Sequence, residues 1–186
     1  NKSKKVEIIF YVDSLEGLEI IKSFTPSDGI QNLFIEIGTI NGRGGVRNLE
    51  LVKEIAISIH SDPRLNLRGV TGFEGAVPNI SRTKDGENLV AEFCRRIVNA
   101  AQLSFEYKSD YKFIISAGGS AYFDIVAAEL NKFNQDKILL LRSGGYVTHD
   151  NKYYEDIYPF KSSSDGFLPA IEIWAQVISK PEDGFG

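Results

Sequence analysis

The sequence predicts an α/β fold in which a parallel sheet is covered by helices. Three observations predict it: near-continuous apolar runs of strand length, amphipathic stretches of helical period between them, and a regular alternation of the two. With 186 residues, 42% of them hydrophobic, the chain has enough apolar material for one ordinary domain with a sizeable core.

VEIIFYV (6–12) reads as the first strand, and Asp13 and Ser14 offer caps for the helix LEGLEIIKSF that follows. LFIEI (33–37) is the second strand. Asn48 then caps a helix whose Leu49, Val52, Ala56 and Ile59 recur at spacings of three and four on one face. LRGVTGF (67–73) is the third strand, and a long helix from about Glu87 to Tyr107 turns Val90, Phe93, Ile97 and Ala101 inward. Cys94, on the apolar side of that helix, reads as a small buried hydrophobe. FIIS (113–116) and ILLL (138–141) are the fourth and fifth strands, separated by a helix that starts near Ser120.

Beyond Arg142 the rhythm changes. YVTHD, KYYEDIY and the alternating run AIEIWAQVIS (170–179) read as antiparallel strands, with turn residues from Lys161 to Gly166 between them and Trp174 filling the core of the unit they begin. The expected division is 1–144 for the α/β part and 145–186 for the start of an all-β domain, although a lone strand cannot stand by itself.

A net charge of −4, with no basic stripe interleaved with exposed aromatics, argues against nucleic acid as a partner. One cysteine excludes an internal disulfide, leaves no metal-ligand spacing and favours a cytoplasmic origin. No apolar stretch approaches the roughly 20 residues of a membrane span. The absence of methionine suggests processing or a piece of a longer protein.

Each strand's C-terminal end runs into a glycine-rich or polar loop: GTINGRGGVR, EGAVPNISRT, AGGSAY and RSGGY. In parallel α/β folds ligands sit outside the carboxyl ends of the strands, so these loops imply one pocket on that rim. Gly118 and Gly119 at a strand-to-helix junction fit two readings. They permit a tight turn with Ser120 as N-cap, or they expose amides at a helix N-terminus as an anion site. The second pair, Gly144 and Gly145, after the next strand favours the anion. No Walker or dinucleotide spacing is present, and a compact monophosphate suits the corners better.

Taken together, IEIGTINGRGGVR, LRGVTGFEG, SAGGSAYFD, LRSGGYVTHD and LPAIEIWAQVISKPEDG resemble, in order and spacing, the fold-type III pyridoxal-phosphate enzymes. These are the alanine racemase barrel and its relatives D-threonine aldolase and D-serine dehydratase, with the amino acid deaminase/aldolase branch the most similar. The resemblance implies a partial (β/α)8 barrel, about five eighths of one, followed by the beginning of an all-β C-terminal domain. It implies pyridoxal 5'-phosphate as cofactor and a small amino acid as substrate.

By the same resemblance, Arg43 matches the arginine that hydrogen-bonds the cofactor's phenolic oxygen, and Phe73 the side chain that stacks on its ring. Gly118, Gly119 and Ser120 match the phosphate cradle, joined by Gly144 and Gly145 with Tyr146 nearby, and Ser116 is expected among the cofactor-binding residues. Arg142 is similar to the racemase arginine that faces the pyridine nitrogen, where a guanidinium keeps its proton. The family's Schiff-base lysine lies upstream of the IEIGTINGR loop at the end of the first barrel strand; here Lys2, Lys4 and Lys5 precede VEIIFYV on the wrong rim. The metal ligands of the dehydratase and aldolase relatives fall late in their β-domain, past the residues matched here.

Two further residues, Glu74 and His149, join Arg43 as candidates for catalysis. Glu74, at a strand end, faces the pocket to hold a substrate amine or orient an arginine, or else bridges a neighbouring loop. His149 serves as acid or base, or as a structural side chain; His60 and Asp13 read as surface and helix cap. Tyr153, Tyr154 and Tyr158 read as aromatic packing where the two parts meet. The expected activity is elimination (deamination), retro-aldol cleavage or racemisation at Cα of a small D- or β-hydroxy amino acid, with this chain alone inactive. The rival expectations are a non-catalytic pyridoxal-phosphate carrier and an unrelated phosphate-binding α/β module. An open edge at VEIIFYV invites pairing with another chain, so a homodimer is expected.

Overall fold

The computed structural model describes residues 6–145, 148–149, 151–160 and 168–183. Five strands, β1 (Ile9–Val12), β2 (Gln31–Ile37), β3 (Leu65–Gly72), β4 (Phe113–Ala117) and β5 (Lys137–Leu141), form one sheet in the order β1-β2-β3-β4-β5. Every pairing is parallel. Four helices connect them: α1 (Leu15–Phe24), α2 (Leu49–His60), α3 (Lys84–Ser104) and α4 (Phe123–Leu130). Right-handed crossovers between strands that follow one another in sequence put every helix on the same face. The sheet is therefore an arc of a barrel, helices outside, rather than a doubly wound sheet.

Strand alternation sorts the side chains between the two faces. Leu33, Ile35, Ile37, Leu67, Val70, Phe113 and Ile115 pack against Val52, Ile55, Ala56, Ile59, Val90, Ile97 and Ala101 of the helices in one hydrophobic core. Phe34, Glu36, Thr71, Ser116 and Leu140 alternate with them and belong to the concave face. There Tyr11 lies beside Phe34, with ring centroids 6.1 Å apart. Low on that face Arg68 is buried and donates to Glu7 Oε1 (2.6 Å) and to the Lys112 carbonyl (3.2 Å), so its charge is paired.

The helix starts follow their caps. Ser14 accepts from the Gly17 amide, Asn48 from Glu50 and Thr83 from Gly86. Thr83 moves the start of α3 three residues ahead of the expected Glu87, and the last residues, Phe105–Tyr107, tighten into a 3-10 turn. β1 is shorter than VEIIFYV. Cys94 is buried as expected, and burial, then the charges of Glu74 and Glu129, push its thiol up to about 12.

Three expectations for the C-terminal stretch are corrected. KYYEDIY is a helix, α5 (Asn151–Ile157), not a strand. Helical spacing puts Tyr154 and the following Tyr158 on one face, where His149 stacks on Tyr154 (5.3 Å between ring centroids) and meets Tyr158 edge-on (5.1 Å). This packing outweighs the strand propensity of tyrosine. AIEIWAQVIS carries no strand and is exposed along its length, and Trp174 is 89% exposed instead of filling a core. A strand needs a hydrogen-bonded ladder, and among the described residues the stretch shows only the single main-chain bond from the Ala170 amide to the Thr148 carbonyl (3.1 Å).

Candidate active site

The C-terminal ends of the strands form one rim. Beyond β1, the Asp13 carboxylate accepts from the Gly45 amide (2.9 Å) and ties the first loop to the second; Ser14 alone caps α1. Arg43, in the loop after β2, is exposed, and its guanidinium carbon lies 5.9 Å from the centre of the Phe73 ring. Arg142, after β5, reaches back across the rim to donate to the Gly72 carbonyl (2.5 Å) and to Tyr11 Oη (3.3 Å). Between these groups lies a cleft of about 390 Å³, with Tyr11, Glu36, Arg43, Gly118 and Arg142 in its wall. A second cleft of about 590 Å³, with Glu74, Gly119, Ser120, Gly144 and Gly145 in its wall, shares Phe73 and Arg142 with the first. The two are lobes of one depression divided by those side chains.

The two glycine corners meet in the second lobe. Ser143 Oγ donates to the Gly119 carbonyl (2.9 Å). A Cβ on Gly145 would stand 2.5 Å from Tyr154 Oη and 3.2 Å from Ser120 Oγ. Gly118 has φ of 99°, a left-handed conformation that only glycine adopts without strain.

The corner differs from expectation in two ways. Helix α4 begins at Phe123 with Tyr122 as its cap residue, so Ser120 is not the N-cap and the Gly118 and Gly119 amides do not belong to a first helical turn. Those amides already hold an anion. Glu74, 1% exposed on the 3-10 turn Glu74–Ala76, accepts from Gly118 through Oε2 (3.1 Å) and from Gly119 through Oε1 (2.5 Å). Its carboxylate therefore bridges to a neighbouring loop, through amides rather than through a cation.

Ser116 is fully buried, donates to the Leu140 carbonyl (3.1 Å) and lines neither lobe, because it sits one layer below the rim. His149 lines neither lobe; it is buried among tyrosines, with a positive φ of 49°. Tyr146 lies outside the described residues. His60 is exposed against Tyr107, as expected for the opposite rim.

Glu36 escaped the sequence reading. Its burial, and then the like charge of Asp13, raise its pKa above the ordinary carboxylate value, against the opposing pull of Arg43 and Arg142. The signal was present: an acid in LFIEI, out of step with Leu33, Ile35 and Ile37, must point to the face away from the helices. Tyr11 carries the same signal in β1.

The loops around the second lobe are held by Arg82. Its guanidinium donates to Asp124 Oδ1 (2.7 Å) and Oδ2 (3.0 Å), to Glu87 Oε1 (3.2 Å), and to the Ile157 (2.8 Å) and Ala121 carbonyls. It also lies over the Tyr122 ring, 4.7 Å from its centre.

Solved structures share this fold. D-threo-3-hydroxyaspartate dehydratase from Delftia sp. HT23 superposes with a TM-score of 0.57 at 24% identity, over 76% of this chain and 36% of that one. Alanine racemase from E. faecalis gives 0.53 at 14% identity, over 87% and 38%, and the alanine racemase from Oenococcus oeni 0.50 at 15%, over 75% and 33%. The fold is thus an arc of a barrel like that of these structures. The chain spans about a third of the length of these structures. No family model and no curated protein matches the sequence. No helix among the described residues is long and apolar enough to cross a membrane.

Proposed function

We propose that this chain is the cofactor-holding part of a pyridoxal-phosphate enzyme acting at Cα of a small D- or β-hydroxy amino acid, by elimination, retro-aldol cleavage or racemisation. The observation that carries the reading is the convergence of the two glycine corners on one lobe of a cleft whose other lobe holds two guanidinium groups. A side chain at Gly145 would fill the space beside Ser120 and Tyr154, so the corner suits a compact oxyanion group approached by main-chain amides. The sequence order of the loops and the likeness of the fold to a dehydratase and to racemases support the same assignment.

In this reading Ser120, Gly144 and Gly145 hold the phosphate, with Gly118 and Gly119 at the same corner. Arg43 faces the phenolic oxygen and Phe73 covers one side of the ring. Arg142, anchored on Gly72 and Tyr11, presents a guanidinium that keeps its proton at the ring nitrogen. Pyridoxal phosphate supplies the electron sink for chemistry at Cα, which no protein side chain provides. Glu36, held between Arg43, Arg142 and Asp13, keeps those guanidinium groups oriented. The Schiff-base lysine is assigned to residues outside this chain, and a homodimer in the cytoplasm is part of the proposal.

The test is to add pyridoxal phosphate to the full-length protein and record the visible absorbance band of the lysine-bound cofactor. Small D- and β-hydroxy amino acids are then assayed for keto acid, aldehyde or inverted enantiomer. Binding without turnover points to a carrier; no band refutes the cofactor assignment.

A further inference from the structure

The described residues give Glu74 no cationic partner, yet its carboxylate is almost fully buried and accepts one hydrogen bond on each oxygen from two adjacent amides. An ionised carboxylate that deep is tolerated because main-chain N–H groups replace its water. Those amides come from the glycine corner whose shape, with Gly118 at φ of 99°, serves to turn N–H groups toward an anion. Glu74 also forms part of the wall of the lobe that contains Gly119, Ser120 and Gly145, so the amides it occupies lie at the lobe an incoming phosphate would enter.

We infer that Glu74 is an internal stand-in for a phosphate monoester: it holds the Gly118–Gly119 corner in anion-binding form while the cleft is empty, and an entering phosphate displaces it. The inference rests on the phosphate-binding part of the proposed function. Two monovalent or divalent anions cannot share the corner, because both amides are already donating and the like charges repel across a short distance. Displacement is short and local, since Glu74 begins a three-residue turn beside Phe73 rather than lying inside a strand or long helix. The consequence is an anion site with weakened affinity and a preformed shape. It also makes Glu74 a determinant of how tightly phosphate esters bind, and not an anchor for a substrate amine.

Inorganic phosphate is the probe, titrated calorimetrically into the whole chain and into its Glu74→Gln and Glu74→Ala variants. Both variants are expected to bind phosphate at least about tenfold more tightly, because the competing charge-assisted hydrogen bonds are weakened or gone. Unchanged or weaker binding by folded variants overturns the inference. Should neither variant fold, glycine-selective ¹⁵N labelling of the parent chain decides it: saturable shifts of the Gly118 and Gly119 amides on adding phosphate support displacement, and shifts confined to Gly144 and Gly145 refute it. Repeating the titration with pyridoxal phosphate separates the two proposals. Displacement by inorganic phosphate without pyridoxal-phosphate binding overturns the cofactor reading alone, and tight cofactor binding indifferent to Glu74 overturns this one alone.

Discussion

Neighbouring glycines in RSGGY stand in opposite environments. A Cβ on Gly145 would collide with Tyr154 Oη at 2.5 Å, whereas nothing lies within 4 Å of the same position on Gly144. Gly145→Ala is therefore expected to cost about 1–3 kcal/mol through overpacking, and Gly144→Ala to stay within about 0.5 kcal/mol of the parent, both read by urea denaturation. Equal effects would contradict the geometry. Glu36 gives a second expectation. Its folded pKa is raised above 4.5, so the stability it contributes is fully present below that value and lost as pH rises through the folded value. Glu36→Gln should flatten the melting temperature over that window and leave the protein at least as stable at neutral pH; a less stable variant there would refute it. That Gly118, Gly119, Gly144 and Gly145 stand at the clefts was legible from glycine pairs at strand ends, whereas Arg43, Phe73, Ser120 and Arg142, which also line them, were singled out through the resemblance of their loops. What occupies the first corner was not legible: hydrogen bonds between Glu74 and residues more than forty positions away depend on how β3 and β4 pair, which no local pattern encodes.

The strands were readable as apolar runs, and helices α1 and α2 because each carries both its period and its cap, as with Asn48 before the Leu49, Val52, Ala56 and Ile59 stripe. Helices α3 and α4 were readable from period alone, and their starts were misplaced. The failure at KYYEDIY has a physical cause: over seven residues tyrosines fit either period, and the deciding term is the ring cluster with His149 and Phe123, a tertiary contact. These elements are joined by Arg82, whose side chain is 14% exposed and whose bonds reach α3, α4, the end of α5 and the loop before α4. Arg82→Ala should cost about 2–3 kcal/mol, below the full penalty of a buried pair because its carboxylate partners are partly solvated. Arg82→Lys, which keeps the charge but not the planar fork, should fall between. Denaturant midpoints check both, and a neutral Arg82→Ala would show that the loops hold together without it.

With α1 to α4 on one face, the sheet's other face and its two edges are left partly bare. Ile8 just before β1, Phe10 and Tyr11 on it, and Ile138, Leu140 and Leu141 on β5 are all more than a third exposed. Exposed strand edges flanked by apolar side chains promote association. Sedimentation of this chain should show concentration-dependent oligomers that Phe10→Lys diminishes, and a strictly monomeric parent chain would count against the expectation. The strand order has a kinetic consequence as well. Because each strand pairs only with the ones just before and after it in sequence, no hydrogen-bond ladder must wait for a distant segment to arrive, and loop-closure entropy is spent in small instalments. The arc can grow strand by strand in the direction of synthesis, each new βα unit finding a finished template at the growing edge.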